Sequence, residues 1–150
     1  MSEENAVEIL IVEDTPEDLE LALRALRKAN LTNRIQIARD GAEAMEFIFA
    51  EGMHSGRKIE DGPKVVLLDL KLPKIDGMEV LRRIKSDPRT KTIPVVVLTS
   101  SKEQKDVVES YQLGVNSYIV KPVNFERFAA AVQDLGMYWL LLNQAPKLDG

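Results

Sequence analysis

Five short apolar runs punctuate the chain: Val7–Val12, Ile35–Ala38, Val65–Leu68, Ile93–Leu98 and Tyr118–Val120. Each is too short and too continuous for an amphipathic helix. Rich in Val, Ile and Leu, they read as strands buried on both faces, the pattern of a parallel sheet. Helical spacing fills the gaps. Thr15-Pro16-Glu17-Asp18 reads as a helix start, with Thr as cap, Pro in the first turn and an acid at the third position; Leu19, Leu23 and Leu26 then line one face. Asp40 opens a second helix with Ala44, Phe47 and Ile48. Asp76 opens a third with Val80, Leu81 and Ile84, ending before Pro88. Ser101 and Gln104 read as a capping box for a fourth, with Val107, Val108 and Tyr111 inward and Gly114 as terminator. Asn124 caps the last, whose apolar residues Phe125, Phe128, Val132, Leu135, Trp139 and Leu142 keep three-four spacing.

Strand and helix thus alternate five times, which predicts an α/β fold with a doubly wound five-stranded parallel sheet and right-handed crossovers. The 150 residues are expected to form a single domain with its core over 7–142 and a C-terminal tail over 143–150. Glu51–Lys64, with three glycines and Pro63, reads as the long loop. Composition narrows the chemistry. An apolar share of 45% and a charged share of 29% are those of a globular protein. The net charge of −4 offers no basic face for nucleic acid. No cysteine is present, so disulfides, thiol nucleophiles and thiolate zinc sites are excluded. The N-terminus is acidic where a signal peptide would be basic, and no apolar run reaches membrane-spanning length. The cytoplasm is the expected compartment.

The informative signal is positional. In an open α/β sheet, ligands bind outside the carboxyl ends of the strands. Four of the five runs end there in a residue suited to phosphate or metal chemistry: Glu13-Asp14, Asp69, Thr99 and Lys121. Singly, each has a bland reading. Asp14 could help a helix begin, Thr99 could serve the next turn, and Lys121 could be solvated. Asp69 resists one, because Leu70-Lys71-Leu72-Pro73 follows and no helix starts there. Two carboxylates about 4 Å apart repel by roughly 4 kcal/mol at an effective dielectric of about 20, so three at one edge require a cation. An oxygen-only cluster suits Mg²⁺, completed by a phosphoryl oxygen. Asp69, on the middle run, is then the candidate nucleophile toward phosphorus. Glu13 and Asp14 would hold the metal, Lys121 would clamp a phosphoryl oxygen, and Thr99 would donate its hydroxyl.

With these residues in hand the chain resembles the receiver domain of bacterial response regulators. The matching pieces are Ile9-Leu10-Ile11-Val12-Glu13-Asp14, Leu67-Leu68-Asp69-Leu70-Lys71-Leu72-Pro73 with Asp76-Gly77, Val97-Leu98-Thr99-Ser100, and Tyr118-Ile119-Val120-Lys121-Pro122. The resemblance implies a flavodoxin-like sheet of order 2-1-3-4-5 and Asp69 as phosphoacceptor, with a sensor histidine kinase as donor. It implies Mg²⁺ held by Glu13, Asp14, Asp69 and the backbone carbonyl of Lys71. A switch through Thr99, Ser100, Tyr118 and Lys121 and a cis Lys121–Pro122 bond are implied as well. Within the family the chain is most similar to the small regulators paired with bacterial phytochromes, on the strength of its long loop and its last helix end, Trp139–Pro146. Those relatives lack an output domain and tend to form homodimers. Met137, Leu140 and Leu141 lie off the apolar stripe through Leu135, Trp139 and Leu142, so the expected dimer contact is Met137, Tyr138, Trp139, Leu140 and Leu141, or else the adjoining fourth helix and fifth strand.

Two positions depart from the family pattern. Lys71 stands where a neutral side chain is common, and the acidic pair is Glu-Asp where many members have Asp-Asp. His54, the sole histidine, reads as a solvated loop residue and excludes a histidine-relay protein. Two other functions compete. A Mg²⁺-dependent aspartate-nucleophile phosphatase of the haloacid dehalogenase type would need a second Asp at position 71, where Lys stands. A scaffold receiver that has lost phosphorylation would not need the five acceptor-site positions intact.

Overall fold

The computed structural model describes residues 7–28, 34–122, 124, 126–128 and 130. The apolar runs become five strands: β1 (Ile9–Val12), β2 (Ile35–Ala38), β3 (Val65–Leu68), β4 (Val95–Thr99) and β5 (Ser117–Val120). Alternating with them are α1 (Pro16–Lys28), α2 (Gly41–Ile48), α3 (Gly77–Ser86) and α4 (Gln104–Leu113). All pairings are parallel and the sheet order is β2-β1-β3-β4-β5. The doubly wound parallel sheet expected from the pattern, in the flavodoxin-like order that the resemblance implies, is therefore what forms.

The period of two along each strand splits the core into two layers. Ile9, Ile11, Val65, Leu67, Val96 and Leu98 pack against Leu19, Ala22, Ala25 and Leu26 of α1, together with Phe128. Leu10, Val12, Val66, Leu68, Val95 and Val97 pack against Ala44, Phe47 and Ile48 of α2 and Val80, Leu81 and Ile84 of α3. Each fully buried aliphatic side chain contributes about 1.5–3 kcal/mol, which is why a strand four residues long suffices when both faces are covered.

Local signals set most element ends. The Asp40 carboxylate accepts from Glu43 N at 2.7 Å and that of Asp76 accepts from Met78 N at 3.3 Å, so both start helices as their sequence context predicts. Asn124 accepts from Arg127 N at 3.1 Å, and residues 126–128 are helical. Gly114 closes α4 at φ 104°, a conformation open to glycine. The fourth strand begins at Val95, not Ile93, because Pro94 has no N–H to give the ladder.

Four expectations need correcting. Ser101 and Gln104 do not form a capping box. The Ser101 hydroxyl instead donates to Asp106 Oδ2 at 2.5 Å, and the helix begins at Gln104 with Glu103 as its cap. Val108 and Tyr111 are exposed; the inward face of α4 runs through Val107, Ser110 and Leu113, three apart, and Ser110 is its only fully buried residue. The stretch Glu51–Lys64 is not a plain loop, since it holds two 3-10 turns, Gly52–His54 and Ile59–Asp61. His54 is half-buried there, its ring edge-on to Phe47 at 5.0 Å, while Arg57 lies 3.9 Å over the same ring and donates to the Phe47 carbonyl. The expected dimer contact, Met137, Tyr138, Trp139, Leu140 and Leu141, lies outside the described residues.

One glycine positions the strand-end chemistry. Gly77 N donates to Leu70 O at 3.0 Å, and a Cβ at Gly77 would come within 2.1 Å of the Asp69 carbonyl oxygen. The start of α3 is thus pressed against the backbone that carries Asp69. Gly77→Ala is expected to cost about 2–3 kcal/mol through overpacking. Gly56→Ala, where a Cβ meets nothing within 4 Å, should stay within about 0.5 kcal/mol of the parent. Urea denaturation of the two variants checks both values.

Candidate functional site

Glu13, Asp69 and Lys121 each sit one residue past their strands, yet their backbones are still held by the ladder. Glu13 N donates to Ala38 O at 2.9 Å, Asp69 N to Val12 O at 3.1 Å and Lys121 N to Thr99 O at 2.8 Å. Because β1 and β3 are neighbours, Glu13, Asp14 and Asp69 converge, with carboxylate oxygens within 4.8 Å of one another. Lys121 comes from β5, two strands from β3 or roughly 10 Å of sheet. Its long stem bridges that gap. Nζ reaches Asp69 Oδ2 at 2.9 Å, Glu13 Oε1 at 2.8 Å and Asp18 Oδ2 at 2.8 Å. The extra methylene of Glu13 over an Asp gives this residue the length to meet a lysine arriving from the far strand.

A second group of side chains lies beside the first. Thr99 is fully buried and its hydroxyl accepts from Ser101 N at 3.3 Å. Tyr118 is half-buried and its hydroxyl donates to Ser101 O at 3.1 Å. Lys71 N donates to Asp69 Oδ1 at 3.1 Å, whereas its ammonium points to α4, 3.9 Å from Asp106 Oδ2. Ser100 is exposed. The Lys121–Pro122 peptide is cis.

This geometry has a counterpart among known proteins. The family profile described as response regulator receiver domain matches residues 9–133. The chain belongs to that family. The receiver is 43% identical over 139 residues to the probable methanogenesis regulatory protein FilR2 of Methanothrix harundinacea, covering 92% of this chain and 86% of that one. It is 42% identical over 132 residues, 88% of each chain, to response regulator Rcp1 of Synechocystis, which has a solved Mn(2+)-bound form. The solved bacteriophytochrome response regulator RtBRR is 51% identical, with a TM-score of 0.81 over 94% of this chain and 84% of that one. The chain is thus a response regulator of the two-component type. Among its described residues no helix is long and apolar enough to cross a membrane.

The electrostatics of the receiver's site follow from its burial. Glu13 and Asp69 are each 4% exposed. Burial pushes the Glu13 carboxyl up from 4.5 to about 7, and the Asp69 charge adds to that against the pull of Lys121 and Thr15 N–H. Burial disfavours the Lys121 ammonium, but its hydrogen bonds to Asp18, Glu13 and Asp69 outweigh this and hold its pKa well above the usual lysine value. Asp14 is exposed, with a carboxylate oxygen within 4.8 Å of oxygens of the buried pair. Three carboxylates with one half ready to take a proton make a donor set that a hard divalent cation fits, since the cation would replace that proton.

Sequence reasoning overlooked two participants. Asp18 was read only as a helix-start acid, although the first turn of the helix that follows Glu13-Asp14 lies at the same strand edge. Asp106 carried no reading in the sequence, and its partnership with Ser101 and Lys71 depends on a helix start that sequence alone misplaced.

The raised Glu13 pKa has a definite sign. Relative to the unfolded chain, folded Glu13 holds its proton more tightly. The stability this group contributes is full below about pH 4.5 and is lost as pH rises through about 7. In chelator-treated buffer, wild type should lose stability relative to Glu13→Gln between pH 5 and 8, by at most about 1.4 kcal/mol per pH unit. Denaturant unfolding at several pH values reads this, and parallel curves for the two proteins would contradict it.

Proposed function

We propose that this receiver acts as a stand-alone signalling switch, not an enzyme, which accepts a phosphoryl group on Asp69 from a sensor histidine kinase. What supports the assignment is the contact of Lys121 Nζ with Asp69 Oδ2 at 2.9 Å inside the cluster of Glu13, Asp14 and Asp69. An Asp69 carboxylate oxygen attacks phosphorus and forms a new O–P bond. The P–N bond of the phosphohistidine donor breaks, and its imidazole leaves with the electron pair. Asp14 and Asp69 would hold Mg²⁺ together with the Lys71 carbonyl, with Glu13 beside them. When bound, the cation supplies charge neutralisation at the phosphoryl oxygens. Lys121 donates to one phosphoryl oxygen and stabilises charge in the transition state.

The readout runs through the neighbouring group. The Thr99 hydroxyl, now accepting from Ser101 N, turns to the phosphoryl group. Ser100, Ser101 and Tyr118 then adjust, because the Tyr118 hydroxyl is tied to the Ser101 carbonyl. The proposal extends to a phytochrome-type kinase, supported by the 51% identity to RtBRR, and to a cytoplasmic homodimer through Met137, Tyr138, Trp139, Leu140 and Leu141. The apolar character of residues 137–141 supports the second part.

Incubation with Mg²⁺ and acetyl phosphate, read by intact mass, should add one phosphoryl group to wild type and none to Asp69→Asn. Equal labelling of the two proteins would end the assignment of the acceptor.

A further inference from the structure

Lys121 has three N–H donors and three carboxylate partners: Glu13 at 2.8 Å, Asp18 at 2.8 Å and Asp69 at 2.9 Å. Two of these acids belong to the acceptor and its cation site. The third does not, and nothing in the proposed phosphotransfer uses it. Asp18 is also not confined to this contact by burial, since its side chain is 27% exposed and could turn to solvent.

We propose that Asp18 is a positioning residue for phosphotransfer: with Glu13 it holds two N–H groups of Lys121, so that the third stays aimed at the Asp69 carboxyl. This rests on the reading of Asp69 as acceptor. Once Asp69 carries phosphorus its carboxylate charge is gone, and the N–H that faced it passes to a phosphoryl oxygen. The other two N–H groups must keep their partners if the ammonium is to stay in place. Glu13 alone could not hold it, because a lysine stem with four rotatable bonds pivots about a single contact. Glu13 also faces the cation cluster, where its charge is shared.

Asp18 is well placed for the task. It lies in the first turn of α1, whose direction is fixed by Pro16, by the bond from Leu19 N to Thr15 O at 2.9 Å and by the burial of Leu19, Ala22 and Leu26 beneath the sheet. The anchor is therefore as rigid as the helix. Its charge matters as well. Three carboxylates meet one ammonium here with Asp14 beside them, and an acid beyond those the cation needs repels an incoming phosphoryl group unless it is neutralised. Pairing with Lys121 neutralises Asp18. A helix-start acid needs no such partner, and Glu17 already serves the first turn of α1.

The test compares Asp18→Ala and Asp18→Asn with wild type and Asp69→Asn, using acetyl phosphate at saturating Mg²⁺ and a separate Mg²⁺ titration. Asp18→Ala should incorporate phosphoryl about tenfold more slowly. Asp18→Asn, whose amide oxygen accepts from Lys121 in the same place, should recover to within about threefold of wild type. Both should bind Mg²⁺ within about threefold of wild type, which also shows that the acid cluster is still assembled. A wild-type rate in Asp18→Ala, an Asn variant as slow as the Ala variant, or loss of Mg²⁺ binding in either overturns the positioning role alone. Failure of wild type itself to take up phosphoryl overturns the acceptor reading and this inference with it.

Discussion

A single, largely buried ammonium holds this site together. Lys121 gathers carboxylates from the end of β1, the first turn of α1 and the end of β3, all within 2.9 Å. Without it, Glu13 and Asp69 could not both stay charged while nearly buried, as the raised pKa of Glu13 already attests. Even with it the cluster is short of positive charge, and that deficit makes it a receptacle for a divalent cation. The constraint reaches into the fold. The ammonium arrives from β5 and the acids from β1 and β3, so the parallel order β2-β1-β3-β4-β5 is needed to bring all of them to one edge.

The frame around this charge cluster is stiff on one side and loosely packed on the other. Gly77 lets α3 press against the backbone of Asp69 and Leu70, and α1 is nailed down by four buried residues. α4, by contrast, buries only Ser110, whose hydroxyl finds no partner among the described residues. Polar contacts hold its N-terminal end: Asp106 to Ser101 and Lys71, and through Ser101 to Tyr118 and Thr99. Such contacts depend on charge, and a change of charge at Asp69 falls within reach of them through Lys71, whose backbone N–H is already bonded to Asp69 Oδ1.

Much of this was legible in the chain. The strands are apolar on both faces, so their type and number could be read directly. A parallel sheet then dictates that Glu13, Asp14, Asp69 and Lys121 meet. Asp40, Asp76 and Gly114 act as local signals and were read correctly. What escaped reading depends on tertiary choice. Ser101 could cap a helix or bond Asp106, and only the packing of α4 decides between them. Val108 and Tyr111 are apolar, yet the inward register of α4 passes through Ser110. His54 looked like a solvated loop residue because its partner Phe47 belongs to the preceding helix. Asp18 was hidden by a sufficient local explanation, since an acid in a first turn raises no question.

The most direct test of the account is a crystal structure grown with Mg²⁺ and trifluoroberyllate, which mimics a phosphoryl group on a carboxylate. The expected result is beryllium on an Asp69 carboxylate oxygen, the cation within coordination distance of Asp14 and Asp69, and Lys121 Nζ within hydrogen-bond distance of a fluorine. A mimic attached elsewhere, or a cation bound away from those acids, would contradict it.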